Sequence, residues 1–369
     1  MGTRIYTFLD TTLTVESKDD SALTWLDEML LPWFDPHGAA TAELALIVRH
    51  APEADRAPLG SPVTPPIRPF LLLDSRVISL PTWCSDHRIV VDDPEEHCRY
   101  VLDGLEVIAE TGQSGRLGLM RVIREIAVEH ERRHARGLEI HAAALELGGS
   151  AIVVAGPKSA GKTTLLLHAV TRHSAGLVAN DHVLVDAWTG QPRVIGVPAV
   201  IRIHPGTAVA FPALGAHRPR GDWPITMTCL EWREALAAWG PANTSIELRL
   251  SAAQLTEALP ARLQVAAPLQ AIVFLEVGGD TLSLVRLSPQ DAERRLRANA
   301  YGGHGHEDVP TTLTELVSRA CPRSQRGDAV AQARTGFAAH LATRVPCFRL
   351  VPGPTLGAAA DLLVRGALA

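Results

Sequence analysis

One nine-residue run, GPKSAGKTT at residues 156–164, constrains the local fold more narrowly than any other segment of the chain. It follows the pattern G-x-x-x-x-G-K-[ST] of a phosphate-binding loop, or P-loop. The apolar run AIVVA (151–155) before it predicts a buried strand, and TLLLHAV (164–170) after it predicts a helix. A strand, a glycine-bearing loop and a helix N-terminus in this order predict an α/β unit with an anion site.

The residue types of this loop suit the phosphates of a nucleotide such as ATP. Gly156 and Gly161 let the backbone N–H groups turn inward, and the dipole of the following helix adds positive potential. Lys162 would reach the β- and γ-phosphates, and the Thr163 hydroxyl would ligate Mg²⁺. The alternative is a glycine turn that only packs the strand against the helix. The predicted nucleotide-binding residues are Gly156, Pro157, Lys158, Ser159, Ala160, Gly161, Lys162, Thr163 and Thr164.

The rarity of lysine supports a chemical role for Lys162. The chain contains three lysines, and two of them, Lys158 and Lys162, lie in this loop. Arginine replaces lysine almost everywhere else. Lys162 is therefore expected to be present for its chemistry.

Length, charge and cysteine content narrow the class of protein. A chain of 369 residues predicts two domains, and a net charge of −5 argues against a general nucleic-acid or membrane-surface binder. The five cysteines are widely spaced without a C-x-x-C pair, which predicts reduced thiols and neither a zinc site nor a disulfide framework. With no signal-peptide pattern and no apolar run long enough for a bilayer, we expect a cytoplasmic protein with no membrane partner.

The sequence predicts two domains joined near residues 110–117. Residues 1–110 alternate as strands around a capped helix that starts after Asp19, which predicts a smaller α/β or α+β domain for substrate recognition. Residues 117–369 hold the P-loop, preceded by a hairpin that turns at Gly148 and Gly149. The irregular insertion at residues 204–243 is a candidate substrate lid.

The segment HAAALELGGSAIVVAGPKSAGKTTLLLHAV, followed by GLVAND, resembles the kinase domain of the HPr kinase/phosphorylase family. The similarity covers roughly residues 117–369, and its C-terminal part looks closer to the kinases that phosphorylate serine in ribosomal peptide precursors. The resemblance implies a P-loop kinase domain with a mixed sheet and flanking helices. It also implies ATP-dependent transfer of a phosphoryl group to a serine or threonine hydroxyl of a peptide or small protein, with Mg²⁺, and a possible homo-oligomer.

The resemblance assigns roles to three further residues. His141 opens the strand before the P-loop, as a histidine near the phosphates does in the family. Asp181 stands where the family has its base toward the seryl hydroxyl, and Asn180 stands where the family has a first aspartate. The implied catalytic residues are Asp181, Lys162 and His141, and the implied metal ligands are Thr163, Asp181 and Asn180.

Two departures from the family pattern bear on the reaction. Asn180 keeps an oxygen ligand but lacks the charge of an aspartate. Arg202 stands near the position of a metal-binding glutamate, where it could clamp a phosphate or a carboxylate, and this weakens the case for the reverse phosphorolysis.

Other interpretations of the motifs remain open. Asp186 would be the metal-binding carboxylate if the protein were an ordinary P-loop ATPase or GTPase switch, and a catalytically quiet nucleotide-binding module is a third hypothesis. His304 and His306 could hold a metal, although a glycine-rich connector is the more common role of such a segment. Arg218, Arg220 and Trp223 of the insertion, together with Arg202, are the predicted acceptor-binding residues.

Overall fold

The computed structural model describes most of the chain as strands and helices joined by short connections. The described residues are 1–36, 44–52, 70–72, 76–78, 82–84, 88–93, 97–103, 106–112, 115–133, 137–186, 190–216, 248–300 and 327–367. The strands within these ranges are β1 (Gly2–Phe8), β2 (Thr11–Ser17), β3 (Leu44–Pro52), β4 (Phe70–Leu72), β5 (Arg76–Ile78), β6 (Thr82–Cys84), β7 (Arg88–Asp93), β8 (Cys98–Asp103), β9 (Glu106–Thr111), β10 (Leu138–Leu147), β11 (Ser150–Ala155), β12 (Gly176–Ala179), β13 (His182–Asp186), β14 (Arg193–Gly196), β15 (Ile201–Ile203), β16 (Leu248–Leu250), β17 (Arg262–Leu263), β18 (Ala266–Leu275), β19 (Ser283–Arg286) and β20 (Cys347–Val351). The helices are α1 (Asp20–Leu30), α2 (Arg116–Arg133), α3 (Lys162–His173), α4 (Pro205–Ala210), α5 (Pro212–Ala216), α6 (Ala252–Ala258), α7 (Pro289–Asn299), α8 (Gly327–Arg344) and α9 (Leu356–Ala367).

This mixture of sheets and helices confirms the predicted α/β class. The chain divides into two compact units, one of Met1–Ala135 with His304–Ala331 and one of Arg136–Gly303 with Gln332–Ala369. Helix α2 belongs to the first unit, whereas the boundary expected from the sequence lies on the other side of this helix. The helix packs on β2, β8 and β9, and its His130 ring lies 2.9 Å from the Thr11 hydroxyl of β2.

The first unit is built on a seven-stranded sheet in the order β1-β2-β3-β9-β8-β7-β6. β3 runs parallel to both of its neighbours, and the other pairs are antiparallel. Helix α1 begins as the sequence predicts, because the Asp19 carboxylate accepts a hydrogen bond from the Ser21 backbone N–H at 2.9 Å. The helix buries Leu23 and Leu26 in the core of this unit.

Asp19 offers a test of this first unit. Its second oxygen accepts a hydrogen bond of 2.9 Å from the buried Arg116 guanidinium. Asp19→Ala is expected to lower the free energy of unfolding by about 1 kcal/mol at neutral pH, the usual effect of losing a helix N-cap. Asp19→Asn keeps a capping oxygen and loses only the charge, so a smaller decrease is expected. Urea unfolding of both variants measures the difference.

Asp19 also makes the stability of the folded chain depend on pH. Burial alone would raise the pKa of Asp19, but hydrogen bonds from Ser21 and Arg116 and the charge of Arg116 hold it below its ordinary value. A carboxylate with a lowered pKa in the folded chain stabilises it above the unfolded pKa and loses this effect as the pH falls through the folded pKa. The difference between wild type and Asp19→Asn should therefore be largest above about pH 4 and shrink below it. An unchanged difference down to pH 3 would contradict this account.

The second unit is built on a nine-stranded mixed sheet. Eight strands follow the order β17-β12-β10-β13-β14-β18-β20-β19, and β11 pairs with both β10 and β18. β10 and β11 form the predicted antiparallel hairpin, which turns at Gly148 and Gly149 with φ of +59° and +87°. Two consecutive positive φ angles favour glycine at both positions. β11, β18 and β20 are parallel, so their carboxyl ends lie at one edge of the sheet.

Helices α3 and α9 pack together beside this sheet. The Asp361 carboxylate of α9 lies 3.0 Å from an Arg172 nitrogen and 2.8 Å from the His173 Nε2 atom, both near the end of α3. The apolar core on the sheet includes aliphatic side chains from β10, β11, β13 and β18 together with Phe337 and Leu341 of α8. In the part of the chain that the structure describes, no helix is long and apolar enough to cross a membrane.

The segment after β13 departs from the sequence-based expectation. The apolar sequence RVIGVPAVIRI at residues 193–203 predicts one strand-like run, but these residues form the separate strands β14 and β15 with Pro198 between them. The described start of the predicted insertion, up to residue 216, forms the short helices α4 and α5. The candidate acceptor residues Arg218, Arg220 and Trp223 and the histidines His304 and His306 lie outside the described residues.

Candidate functional site

The P-loop connects β11 to α3 as the sequence predicts. Gly161 precedes α3 with φ of +95°, in the left-handed region that favours glycine. A Cβ atom at Gly161 would lie 2.6 Å from a methyl carbon of Leu356, and one at Gly156 would lie 2.5 Å from the Leu275 carbonyl oxygen. Gly161 is therefore favoured by its left-handed backbone, and Gly156 is required by the close approach of the loop to the backbone of β18.

Lys162 is buried and folds back over its own loop. Its Nζ atom donates hydrogen bonds to the carbonyl oxygens of Gly156 at 2.8 Å and Pro157 at 3.1 Å. Burial lowers the pKa of this lysine below its ordinary value, and the negative charge of Asp181 opposes the decrease. The Asp181 carboxylate therefore acts electrostatically on the Lys162 ammonium group.

The register of the sheet brings His141 and Asp181 to the start of the loop. Ala142 of β10 lies opposite Ala155, the last residue of β11 before the loop. On the other side of β10, the Ala142 backbone N–H donates a hydrogen bond of 3.0 Å to the Asp181 carbonyl oxygen. His141 lies opposite His182, the first residue of β13. Three chain segments that are distant in sequence thus meet where the P-loop begins.

The Asp181 carboxylate lies between two imidazole rings. Its Oδ1 atom is 3.5 Å from His141 Nδ1, and its Oδ2 atom is 3.3 Å from His182 Nε2. The two rings stand edge to face, with centroids 6.0 Å apart. The Asp181 side chain is 32% exposed and that of His141 is 22% exposed, so both are accessible from solvent.

Glu139 supports this cluster from inside the protein. One of its carboxylate oxygens lies 3.3 Å from His182 Nδ1, and the Glu139 and His182 side chains are only 3% and 1% exposed. His182 therefore links the buried carboxylate of Glu139 to the accessible carboxylate of Asp181. We call His141, Asp181 and His182 the His-Asp-His cluster.

Opposing effects determine the protonation of Asp181. Burial, the largest single effect, would raise its pKa, but the hydrogen bond and charge of His182 and the charges of His141 and Lys162 together outweigh it. The pKa of Asp181 consequently lies well below its ordinary value. The carboxylate is ionised at neutral pH and can accept a proton or hold a cation.

Asn180 and Thr163 fit the predicted role of cation ligands. The Asn180 side chain is 9% exposed, and its Oδ1 atom has no hydrogen-bond partner among the described residues. A buried amide oxygen without a partner costs free energy unless a ligand, water or ion satisfies it. Thr163 lies in the first turn of α3 and is partly exposed.

Other described residues of the predicted site lie on α3, β15 and β13. The Thr164 hydroxyl lies 2.7 Å from the Thr207 hydroxyl of α4, which places this short helix beside α3. Arg202 lies on β15 directly opposite Arg249 of β16, and both are partly buried. Asp186 lies at the far end of β13 opposite Arg193. It is four residues from His182, roughly 13 Å along an extended strand.

Sequence reasoning missed His182 and Glu139. Both lie on strands that are otherwise almost wholly apolar and buried, LEIHAAALEL for β10 and HVLVD for β13. Glu139 and His141 share one face of β10 because side chains alternate along a strand. A buried charged residue two positions from a predicted site histidine is the signal that could have indicated the additional pair.

The chain was also compared with known proteins. Neither a comparison with protein-family models nor one with curated protein sequences returned a match. The features that bear on function are therefore the P-loop with its buried lysine, the His-Asp-His cluster and the Asn180 oxygen, which has no partner among the residues that the structure describes.

Proposed function

We propose that the protein is an ATP-dependent phosphotransferase that transfers the γ-phosphoryl group to a serine or threonine hydroxyl of a peptide or small protein. The observation that carries this proposal is the position of Asp181. Its carboxylate interacts with the P-loop lysine and lies between two histidines, at the sheet edge where the loop begins. This site offers a cationic group for the donor phosphates and an ionised carboxylate for the acceptor.

The P-loop would hold the phosphates of the donor. In the proposed complex, the Lys162 ammonium exchanges the carbonyl oxygens of Gly156 and Pro157 for phosphate oxygens, a stronger charge-assisted interaction. The N-terminus of α3 contributes unpaired N–H groups and a positive dipole. Mg²⁺, held by Thr163, Asn180 and Asp181, would neutralise charge on the transferring phosphoryl group.

Asp181 would orient the acceptor hydroxyl and accept its proton. Phosphoryl transfer passes through a loose transition state, so catalysis depends mainly on positioning and charge rather than on early deprotonation. A carboxylate with a lowered pKa suits this role because it stays ionised and accepts a hydrogen bond from the hydroxyl. His182 and Glu139 would hold the carboxylate in place from behind.

The position of Asp186 favours a kinase over a generic P-loop ATPase. As the metal ligand of an ATPase, Asp186 would have to lie near Thr163. Asp186 is instead the last residue of β13, and His182 at the other end of that strand lies opposite His141, near the start of the loop. Asp186 lies opposite Arg193 of β14, and opposite charges at cross-strand positions stabilise a sheet, which gives Asp186 a structural role. Asp181 is thus the better candidate for the functional carboxylate.

Two residues of this chain also favour transfer of the phosphoryl group from ATP over the reverse phosphorolysis. Asn180 replaces a carboxylate near the phosphates with a neutral amide, and Arg202 lies opposite a second arginine, Arg249. Paired arginines favour binding of an anionic group, such as a phosphate or a carboxylate of a peptide. We propose that Arg202 binds such a group and that Arg218, Arg220 and Trp223 contribute to acceptor recognition.

Mass spectrometry of candidate acceptors tests the proposal. The protein is incubated with ATP, Mg²⁺ and two sets of peptides, an array with serine, threonine or tyrosine acceptors and the short peptides encoded beside its gene. We expect a peptide that gains one phosphoryl group on serine or threonine, with one ADP formed per phosphopeptide. Release of ADP and phosphate without a phosphopeptide would instead identify an ATPase, and no binding of ATP by calorimetry would leave the P-loop as a structural turn.

A further inference from the structure

We infer that His141, Asp181 and His182 form a binding site for a divalent transition-metal ion of the Mn²⁺ to Zn²⁺ series. One ligand atom from each residue lies within 4.8 Å of the other two. This set of two nitrogens and one oxygen differs from the oxygen ligands of Thr163, Asn180 and Asp181 expected for Mg²⁺. Only Asp181 is common to both sets.

The ligand chemistry determines the class of ion. Mg²⁺ prefers oxygen ligands in octahedral geometry, whereas imidazole nitrogens suit the divalent transition metals. Three protein ligands with further positions left open are typical of catalytic rather than structural metal sites. The accessible sides of Asp181 and His141 provide the entry path.

Glu139 prepares His182 for this role. A carboxylate 3.3 Å from His182 Nδ1 favours a proton on that nitrogen. When an ion displaces the proton that Nε2 donates to Asp181, 3.3 Å away, the lone pair of Nε2 is directed toward the cluster. Histidines that ligate metals usually donate their other ring N–H group to such a carboxylate, which fixes the ring and increases its basicity.

A second observation next to the cluster also indicates a cation. The Oδ1 atom of Asn180, adjacent to Asp181 in the chain, is buried without a hydrogen-bond partner among the described residues. A water molecule bound to the ion would satisfy this oxygen. The Asn180 amide thus indicates an ion in the cluster without being one of its three protein ligands.

The role of the ion rests on the proposed function, although its binding does not. An ion in the cluster would lie beside the P-loop and could bind a phosphate oxygen or the acceptor hydroxyl, and a metal ion lowers the pKa of a hydroxyl that it binds. Asp181 would then bind the ion through one carboxylate oxygen and keep its other oxygen to accept the proton of the acceptor hydroxyl. The chain would thus require a transition metal for its fastest rate, in addition to the Mg²⁺ that accompanies ATP.

Titration of the chelator-stripped protein with Co²⁺ tests the inference without nucleotide. Co²⁺ bound by two imidazoles and a carboxylate gives visible absorption bands that free Co²⁺ in buffer does not. We expect bands that saturate at one equivalent, that disappear when Zn²⁺ is added, and that persist in a large excess of Mg²⁺. Failure of the wild-type protein to produce the bands would overturn the inference.

Three variants connect the signal to the cluster. His141→Ala removes an accessible ligand and should abolish the bands with little effect on folding. Glu139→Gln removes the charge behind His182 and should weaken Co²⁺ binding by about 10- to 100-fold. His173→Gln is the matched control, because His173 forms a comparable pair with Asp361 away from the cluster, and it should bind Co²⁺ like the wild type.

The outcomes separate this inference from the proposed function. Unchanged Co²⁺ affinity in His141→Ala would reject the cluster as the site. Phosphorylation of a peptide with Mg²⁺ by a protein that does not bind Co²⁺ would reject the metal site and leave the kinase proposal intact. Binding of Co²⁺ by a protein that does not bind ATP would reject the kinase proposal and leave the metal site intact.

Discussion

Lys162→Met is expected to abolish transfer of the phosphoryl group, by about 10³-fold or more, while the protein remains as stable as the wild type. The large effect on rate follows from the loss of the cation that faces the β- and γ-phosphates in the transition state. Stability should be retained because the lysine is buried and its pKa is lowered chiefly by burial. The folded chain thus disfavours the charged form, and methionine fills a similar volume without a charge. Rates with the peptide acceptor and thermal unfolding of both proteins measure the two effects.

Lys158→Met is the matched control for this prediction. Lys158 lies in the same loop but is exposed, so its replacement should change the rate by less than about tenfold. Equal rate losses in the two variants would mean that the loop responds to total charge and that Lys162 has no special position. A marked loss of stability in Lys162→Met would show that its bonds to Gly156 and Pro157 hold the loop together.

The difference in stability between the wild type and Lys162→Met should change with pH in a definite direction. A lysine whose pKa is lower in the folded chain than in the unfolded chain opposes folding while it is protonated. As the pH rises through the folded pKa toward the ordinary value of 10.5, the wild type should gain stability relative to Lys162→Met. If Lys162→Met has the higher free energy of unfolding at neutral pH, this difference should therefore decrease in alkaline solution. Urea unfolding of both proteins at several pH values measures it.

The parts of the fold that the sequence predicts are those whose causes are local. The glycine spacing and Lys162 identify the P-loop because the loop, its strand and its helix are consecutive in the chain. Gly148 and Gly149 identify the hairpin for the same reason, and Asp19 marks the start of α1 through a contact two residues away. In each case the residues that determine the conformation are neighbours in the sequence.

The parts that the sequence does not predict depend on pairing between distant segments. His182 faces His141 only because β13 aligns with β10 in one register, and a shift of one residue would point His182 to the other face of the sheet. The contact between Glu139 and His182 has the same origin. The pairing of Arg202 with Arg249 joins strands that are separated by the whole insertion. No local pattern of apolar and polar residues encodes these registers.

Asp181→Asn is expected to lower the rate of transfer by about 10²-fold or more while ATP binding largely persists, because the carboxylate contributes mainly in the transition state. The amide preserves the shape of the side chain but cannot accept a proton. Asp186→Asn should change the rate by less than about threefold, since Asp186 lies opposite Arg193 at the far end of β13, where a cross-strand pair of opposite charges contributes up to about 1 kcal/mol of stability. Steady-state kinetics with both substrates, together with calorimetry for ATP, measure these effects.

The dependence of the Asp181→Asn rate on Mg²⁺ distinguishes the two roles of this carboxylate. If Asp181 serves chiefly as a metal ligand, a higher Mg²⁺ concentration should restore much of the rate, because mass action compensates for weaker binding. If it serves chiefly to accept the proton, saturating Mg²⁺ should leave the rate low. A larger loss in Asp186→Asn than in Asp181→Asn would reject both roles and assign the protein to the P-loop ATPases. The register of β10 and β13 argues against that result, since it places Asp181 beside the loop and Asp186 at the opposite end of the strand.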